Sequence, residues 1–182
     1  MKAPRTELPL LYLQPGELYF SETPVRVATV LGSCVSVTMY CARLVIGSIC
    51  HILLPRCRRK ACIPNCEDAF RYADCSIKAM IAWFIDKGAY PAELEVKVFG
   101  GSDILVTGPD RRNVSVGKQN IEAARQALLR EGLKLHASHI GGTSGRKIIF
   151  STQTGEVLMK RIRKTVHIEE DLCRRQALKQ EY

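Results

Sequence analysis

Two alternating apolar runs on either side of one glycine turn constrain this chain most. Val25 to Val30 alternates apolar and polar residues, Gly32-Ser33 breaks the pattern, and Cys34 to Tyr40 resumes it with Val35, Val37 and Met39 on one face. A period of two puts alternate side chains on opposite faces of a sheet, so this region reads as a strand entering, turning at glycine and leaving again. A second β-rich run covers Arg43 to Leu54, with Gly47 marking a bulge and Pro55 ending it. The turn therefore opens one apolar strand on Cys34, and His51 sits in the next.

A cysteine serves as a nucleophile when its sulfur is accessible and a nearby histidine takes the proton. The small side chains of Gly32 and Ser33 let a substrate approach the backbone and leave amide N–H groups free as oxyanion donors. On spacing alone a second reading stands beside this one. Cysteine is a common core filler, and a lone imidazole in an apolar strand is often a satisfied core residue. Cys41 and Cys50 read as strand fillers, and Cys50 should point to the face opposite His51.

The rest of the chain supplies further strands and two helices. Leu10–Leu13 and Leu18–Phe20 are short strands within a lead-in punctuated by Pro4, Pro9, Pro15 and Pro24. Residues 56–66 form a basic, cysteine-bearing loop. A helix follows from about Glu67, with Asn65 as N-cap, a stripe of Ala69, Ala73, Ile77, Met80, Ile81 and Phe84, and a stop at Lys87-Gly88. Leu94–Phe99 is a strand running into Gly100-Gly101. Beyond it, Ser102 and Asp103 either line a cleft or belong to a plain loop. The second helix spans about Lys118–Arg130, capped near Gly132. Its start, Gly117–Asn120, resembles an anion site, although polar groups contacting a neighbouring loop explain it better. Leu133–Ile140, Lys147–Ser151 and Val157–Ile162 read as strands. His136 and His139 in the first of these would face opposite sides and make a poor metal pair; His167 lies in the tail. Strands outnumber helices, so the expected fold is layered α+β. It should form one domain over 1–182, with a core of about 15–163 and a polar tail at 164–182.

Charge narrows the partners. The 27 Lys and Arg against 18 Asp and Glu give +9, which draws acidic partners through long-range attraction. No zinc finger, helix-turn-helix or aromatic ribonucleoprotein pattern accompanies this charge, so nucleic acid is not expected. No apolar run approaches the roughly 20 residues that span a bilayer. The early Leu10–Leu13 run is interrupted at Pro9, stops at Gln14 and lacks a cleavage site, so the chain reads as cytoplasmic. Its eight cysteines are then expected as thiols. Cys57, Cys62, Cys66 and Cys75 could together hold zinc or an iron-sulfur cluster, but no pair has the usual Cys-x2-Cys spacing; no metal or cofactor is the preferred reading.

Six blocks in order carry a resemblance: Thr29-Val-Leu-Gly-Ser-Cys-Val-Ser-Val37, His51-Ile-Leu-Leu-Pro55, Arg71-Tyr-Ala-Asp-Cys-Ser-Ile77, Lys97-Val-Phe-Gly-Gly101, Val116-Gly-Lys-Gln-Asn-Ile121 and Gly141-Gly142. The chain resembles the chemoreceptor glutamine deamidase family, CheD. The resemblance implies a layered α/β/β/α sandwich with mixed sheets and two main helices, and no cofactor. It implies Cys34 and His51 as catalytic residues. Thr29 matches a third, with Ala28 in its place if the threonine lies one residue further from the cysteine. The reaction implied is hydrolysis of receptor glutamine side chains to glutamate, with a Cys34–His51 ion pair, an oxyanion site at Gly32 and Ser33, and ammonia released. Glutamyl methyl esters would pass through the same thioester. The partners implied are the cytoplasmic helices of methyl-accepting receptors and a CheC-type phosphatase. The alternative is a non-catalytic adaptor for these same partners.

Overall fold

The computed structural model describes residues 8–57, 68–103 and 115–162. Within them the chain runs β1 (Leu10–Tyr12), β2 (Leu18–Ser21), β3 (Arg26–Leu31), β4 (Val35–Cys41), β5 (Ile46–Ile52), α1 (Ala73–Asp86), β6 (Leu94–Gly100), α2 (Val116–Arg130), β7 (Leu135–Ile140), β8 (Gly145–Ser151) and β9 (Val157–Ile162). Asn65, Glu67, Cys62 and Cys66, and the tail at 164–182 with His167 and Cys173, lie outside the described residues.

The strands form two mixed sheets, ordered β1-β3-β8-β9 and β2-β5-β4-β6-β7. The pairs β1–β3 and β6–β7 are parallel and the others antiparallel. The alternation in β4 sorts its side chains into two cores. Val35, Val37, Met39 and Cys41 join a cluster with α1 and α2, whereas Tyr40 joins Ile49, Phe99, Ile148 and Phe150 between the sheets. Both helices therefore cover one face of the five-stranded sheet, and the four-stranded sheet covers the other. Among the described residues the layers run helices, five-stranded sheet, four-stranded sheet, an α+β arrangement. No described helix is long and apolar enough to cross a membrane.

Helix α1 buries Ala73, Ile77, Met80, Ile81 and Phe84, each large apolar side chain contributing roughly 1.5–3 kcal/mol. It begins at Ala73, later than the sequence pattern suggested. Tyr72 is held extended, the amides of Leu53 and Leu54 donate to Arg71 O, and Ala73 N–H donates to Leu54 O. The end of β5 thus keeps the preceding chain out of helical geometry. Helix α2 begins two residues earlier than expected, because Ser115 Oγ accepts the Lys118 amide and caps it.

Gly47 is not a bulge. It pairs in regular register with Ser21 and Tyr40. Its role is close packing: a Cβ there would meet Phe150 Cζ of the opposing sheet at 2.9 Å. The irregularity lies instead between Val96 and Lys97, where His136 Nδ1 accepts the Val96 amide in place of a ladder partner.

Candidate active site

The Gly-Ser-Cys turn does not close a hairpin. It carries the chain from β3 in the four-stranded sheet to β4 in the five-stranded sheet, so Cys34 sits where the layers are joined. All three carbonyls of the turn are taken: Gly32 O by Ser102 N–H at 2.8 Å, Ser33 O by Asn120 Nδ2 at 3.0 Å and Cys34 O by Gly101 N–H at 2.7 Å. The amides of Ser33 and Cys34 donate in none of these bonds, and the Cys34 amide faces its own sulfur. Gly100, at φ +111°, admits no side chain, since a Cβ would lie 2.2 Å from Cys34 O.

His51 stands directly across from Ser36, so their side chains share a face. Cys34 precedes Ser36 by two residues and shares that face by the same alternation. Both therefore belong to the space between the sheets, where half-buried Cys34 packs against the apolar cluster. Cys50 lies on the helix side, as the alternation predicted.

Thr29 reaches the same space from β3. Its Oγ1 donates to Leu13 O at 2.9 Å and lies 2.7 Å from His51 Nδ1. A hydroxyl has one proton, already directed to Leu13 O, so the His51 contact requires Nδ1–H as donor. That assignment leaves a lone pair on Nε2, which is buried and has no partner among the described residues. Ala28, the alternative position, uses its carbonyl to accept the Leu13 amide.

Burial sets the electrostatics. It pushes the His51 imidazolium down to about 4, against smaller opposing effects from Leu13 O and Glu17, and it pushes the Cys34 thiol up. Both shifts favour a neutral thiol beside a neutral imidazole. This differs from the ion pair implied by the resemblance, because desolvation disfavours both charged forms.

Several other expected positions are resolved. Ser102 is buried and braces the turn, its Oγ donating to Ser144 O at 2.6 Å. Asp103 receives Ser115 Oγ–H and faces Lys118, so it belongs to the start of α2. Asn120 contacts the Gly-Ser-Cys turn through Ser33 O, as expected for a polar group at a helix start meeting a neighbouring loop. His139 meets Arg161. Arg146 was not singled out from the sequence, yet it is buried and its guanidinium donates to Gly100 O and Gly141 O at the ends of β6 and β7. Its only signal was a place at the start of a strand directly after Gly145, which the neighbouring charge of Lys147 obscures.

Cys75 is disulfide-bonded, contrary to the expectation of thiols, whereas Cys34, Cys41, Cys50 and Cys57 are free. A sulfur in a disulfide is not a thiolate ligand, which removes one member of the four-cysteine metal reading. The described residues contain no group of three or more metal-ligating side chains.

A Geobacter sulfurreducens protein named "Probable chemoreceptor glutamine deamidase CheD 2" is 47% identical over 165 residues, covering 91% of this chain and 98% of that one. An Oleidesulfovibrio alaskensis protein, "Probable chemoreceptor glutamine deamidase CheD", is 37% identical over 172 residues, covering 93% and 79%. The crystal structure of Bacillus licheniformis hypothetical protein YfiH aligns with a TM-score of 0.46 at 13% identity, covering 69% of this chain and 51% of that one. The family model described as CheD chemotactic sensory transduction matches residues 53–161, and with these relatives it shows that the chain belongs to the CheD family.

Proposed function

We propose that this protein is a cysteine-dependent deamidase that hydrolyses glutamine side chains on the cytoplasmic helices of chemoreceptors. The observation that carries the chemistry is the Thr29–His51 hydrogen bond, which leaves His51 Nε2 as a proton acceptor on the face shared with Cys34. The relatives' names supply the substrate class.

The reaction begins from the neutral pair. As the carboxamide enters, the Cys34 S–H proton passes to His51 Nε2 and the sulfur attacks the amide carbon. The negative charge moves to oxygen, where the amides of Ser33 and Cys34 stabilise it. Collapse breaks the C–N bond as Nε2–H protonates nitrogen, releasing ammonia and leaving a thioester. His51, neutral again, takes a proton from water; hydroxide adds to the thioester, the C–S bond breaks, and the proton returns to sulfur. Glutamine and water have become glutamate and ammonia. A glutamyl methyl ester follows the same course with methanol as the leaving group. Through both steps Thr29 holds the ring by Nδ1. The basic charge of the chain favours encounter with acidic receptor helices.

Incubation with purified receptor fragments, followed by mass mapping, tests the reading. Each converted glutamine gains about one dalton, and Cys34→Ala and His51→Ala should abolish the gain. Conversion retained in Cys34→Ala removes the proposed nucleophile. Receptor binding by wild type without any conversion supports the adaptor instead.

A further inference from the structure

Strand pairing between β4 and β5 ends at Val35 and Ile52, so regular pairing stops just short of the nucleophile. Beyond that point Asn120 bridges the strands. Its Nδ2 donates to Ser33 O at 3.0 Å and to Leu53 O at 2.9 Å. The first acceptor immediately precedes Cys34 in the chain, and the second follows His51 by two residues. Both amide protons are used on carbonyls, and Oδ1 is buried without a partner, so the bridge depends on donation by the NH2 group. An aspartate of the same shape would turn oxygen lone pairs towards both carbonyls.

The position of Asn120 is itself fixed by close packing. A Cβ on Gly117 would lie 2.6 Å from Gly101 O, and one on Gly101 would lie 2.4 Å from Ile121 Cγ1. The first turns of α2 therefore rest against the glycine pair whose second amide holds Cys34 O. Asn120 is completely buried.

We propose that Asn120 is a positioning residue that sets the separation of Cys34 and His51, replacing the missing rung between their strands. The inference rests on the cysteine–histidine chemistry proposed above and acts through the Ser33 and Leu53 carbonyls. Loss of the bridge lets the turn and the end of β5 move apart, and a displacement of about 1 Å between reacting groups costs up to about a hundredfold in rate.

A double-mutant cycle on Cys34 alkylation tests this without a receptor, so its result is independent of whether receptors are the substrate. Iodoacetamide is the probe, and mass mapping separates Cys34 from the other free cysteines. Asn120→Ser should slow Cys34 alkylation about tenfold in the wild-type background and leave it unchanged within about twofold in His51→Asn, where no base remains to be positioned. Asn120→Asp should slow it at least as much as Asn120→Ser. Equal slowing in both backgrounds overturns the proposal, because Asn120 would then shape the turn independently of His51. Wild-type alkylation in folded Asn120→Ser also overturns it.

Discussion

Lowering the pH from 8 to 5 should destabilise the folded protein by about 2 kcal/mol through His51 alone. Burial holds its imidazolium at about 4 in the folded chain, against 6.5 when unfolded. Between these values the unfolded chain binds a proton that the folded chain refuses, so stability rises with pH. The contribution is fully present above about 6.5 and is lost as pH falls towards 4. At pH 5 about 1.5 units of the interval have been crossed, and each unit corresponds to about 1.36 kcal/mol. Urea unfolding of wild type and His51→Asn at both pH values isolates the effect. Asparagine does not titrate but retains an N–H to donate to Thr29, while the other titrating groups contribute equally to both proteins. Wild type should lose about 2 kcal/mol more than the variant, with unchanged m-values. Equal losses would refute a buried neutral imidazole.

Thr29→Val keeps the side-chain shape but removes the partner of both His51 Nδ1 and Leu13 O. It should cost about 2 kcal/mol in urea unfolding and reduce deamidation about tenfold or more, while Thr29→Ser retains most of both. Gly101→Ala forces a side chain onto a backbone at φ +70° and into Ile121. Unfolding measurements should show a loss of at least about 2 kcal/mol, combining left-handed strain with displacement of α2.

The alternation in β3 and β4 was legible because one side of each strand meets a different environment from the other. The same pattern could not reveal that the strands join different sheets, since a turn reads alike whether the chain pairs with itself or crosses to another layer. Cys34 and His51 stood out by residue type and by strand position. Arg146 did not, and Asn120 was legible only as one of several polar groups at a helix start meeting a neighbouring loop, because the carbonyls these two residues hold are remote in the chain. Gly47 misled for a related reason: its missing side chain answers to Phe150, far along the sequence. The start of α1 was set by the backbone of Leu53 and Leu54, just past β5, and not by local helix propensity.

The neutral pair follows from the same layering that hides those partners. An ion pair at rest would place two charges in a largely desolvated space, where the loss of hydration opposes their attraction. Among the described residues no carboxylate meets His51 Nδ1 to offset that loss; the Thr29 hydroxyl orients the ring, and Leu13 O and Glu17 favour the imidazolium less than burial opposes it. In the proposed reaction charge therefore develops when the carboxamide arrives and its oxygen can take up the negative charge against the turn amides. A resting thiol is also less readily oxidised than a thiolate. In the proposed mechanism proton transfer from Cys34 thus accompanies attack on an electrophile, with Thr29 fixing which nitrogen of His51 accepts the proton.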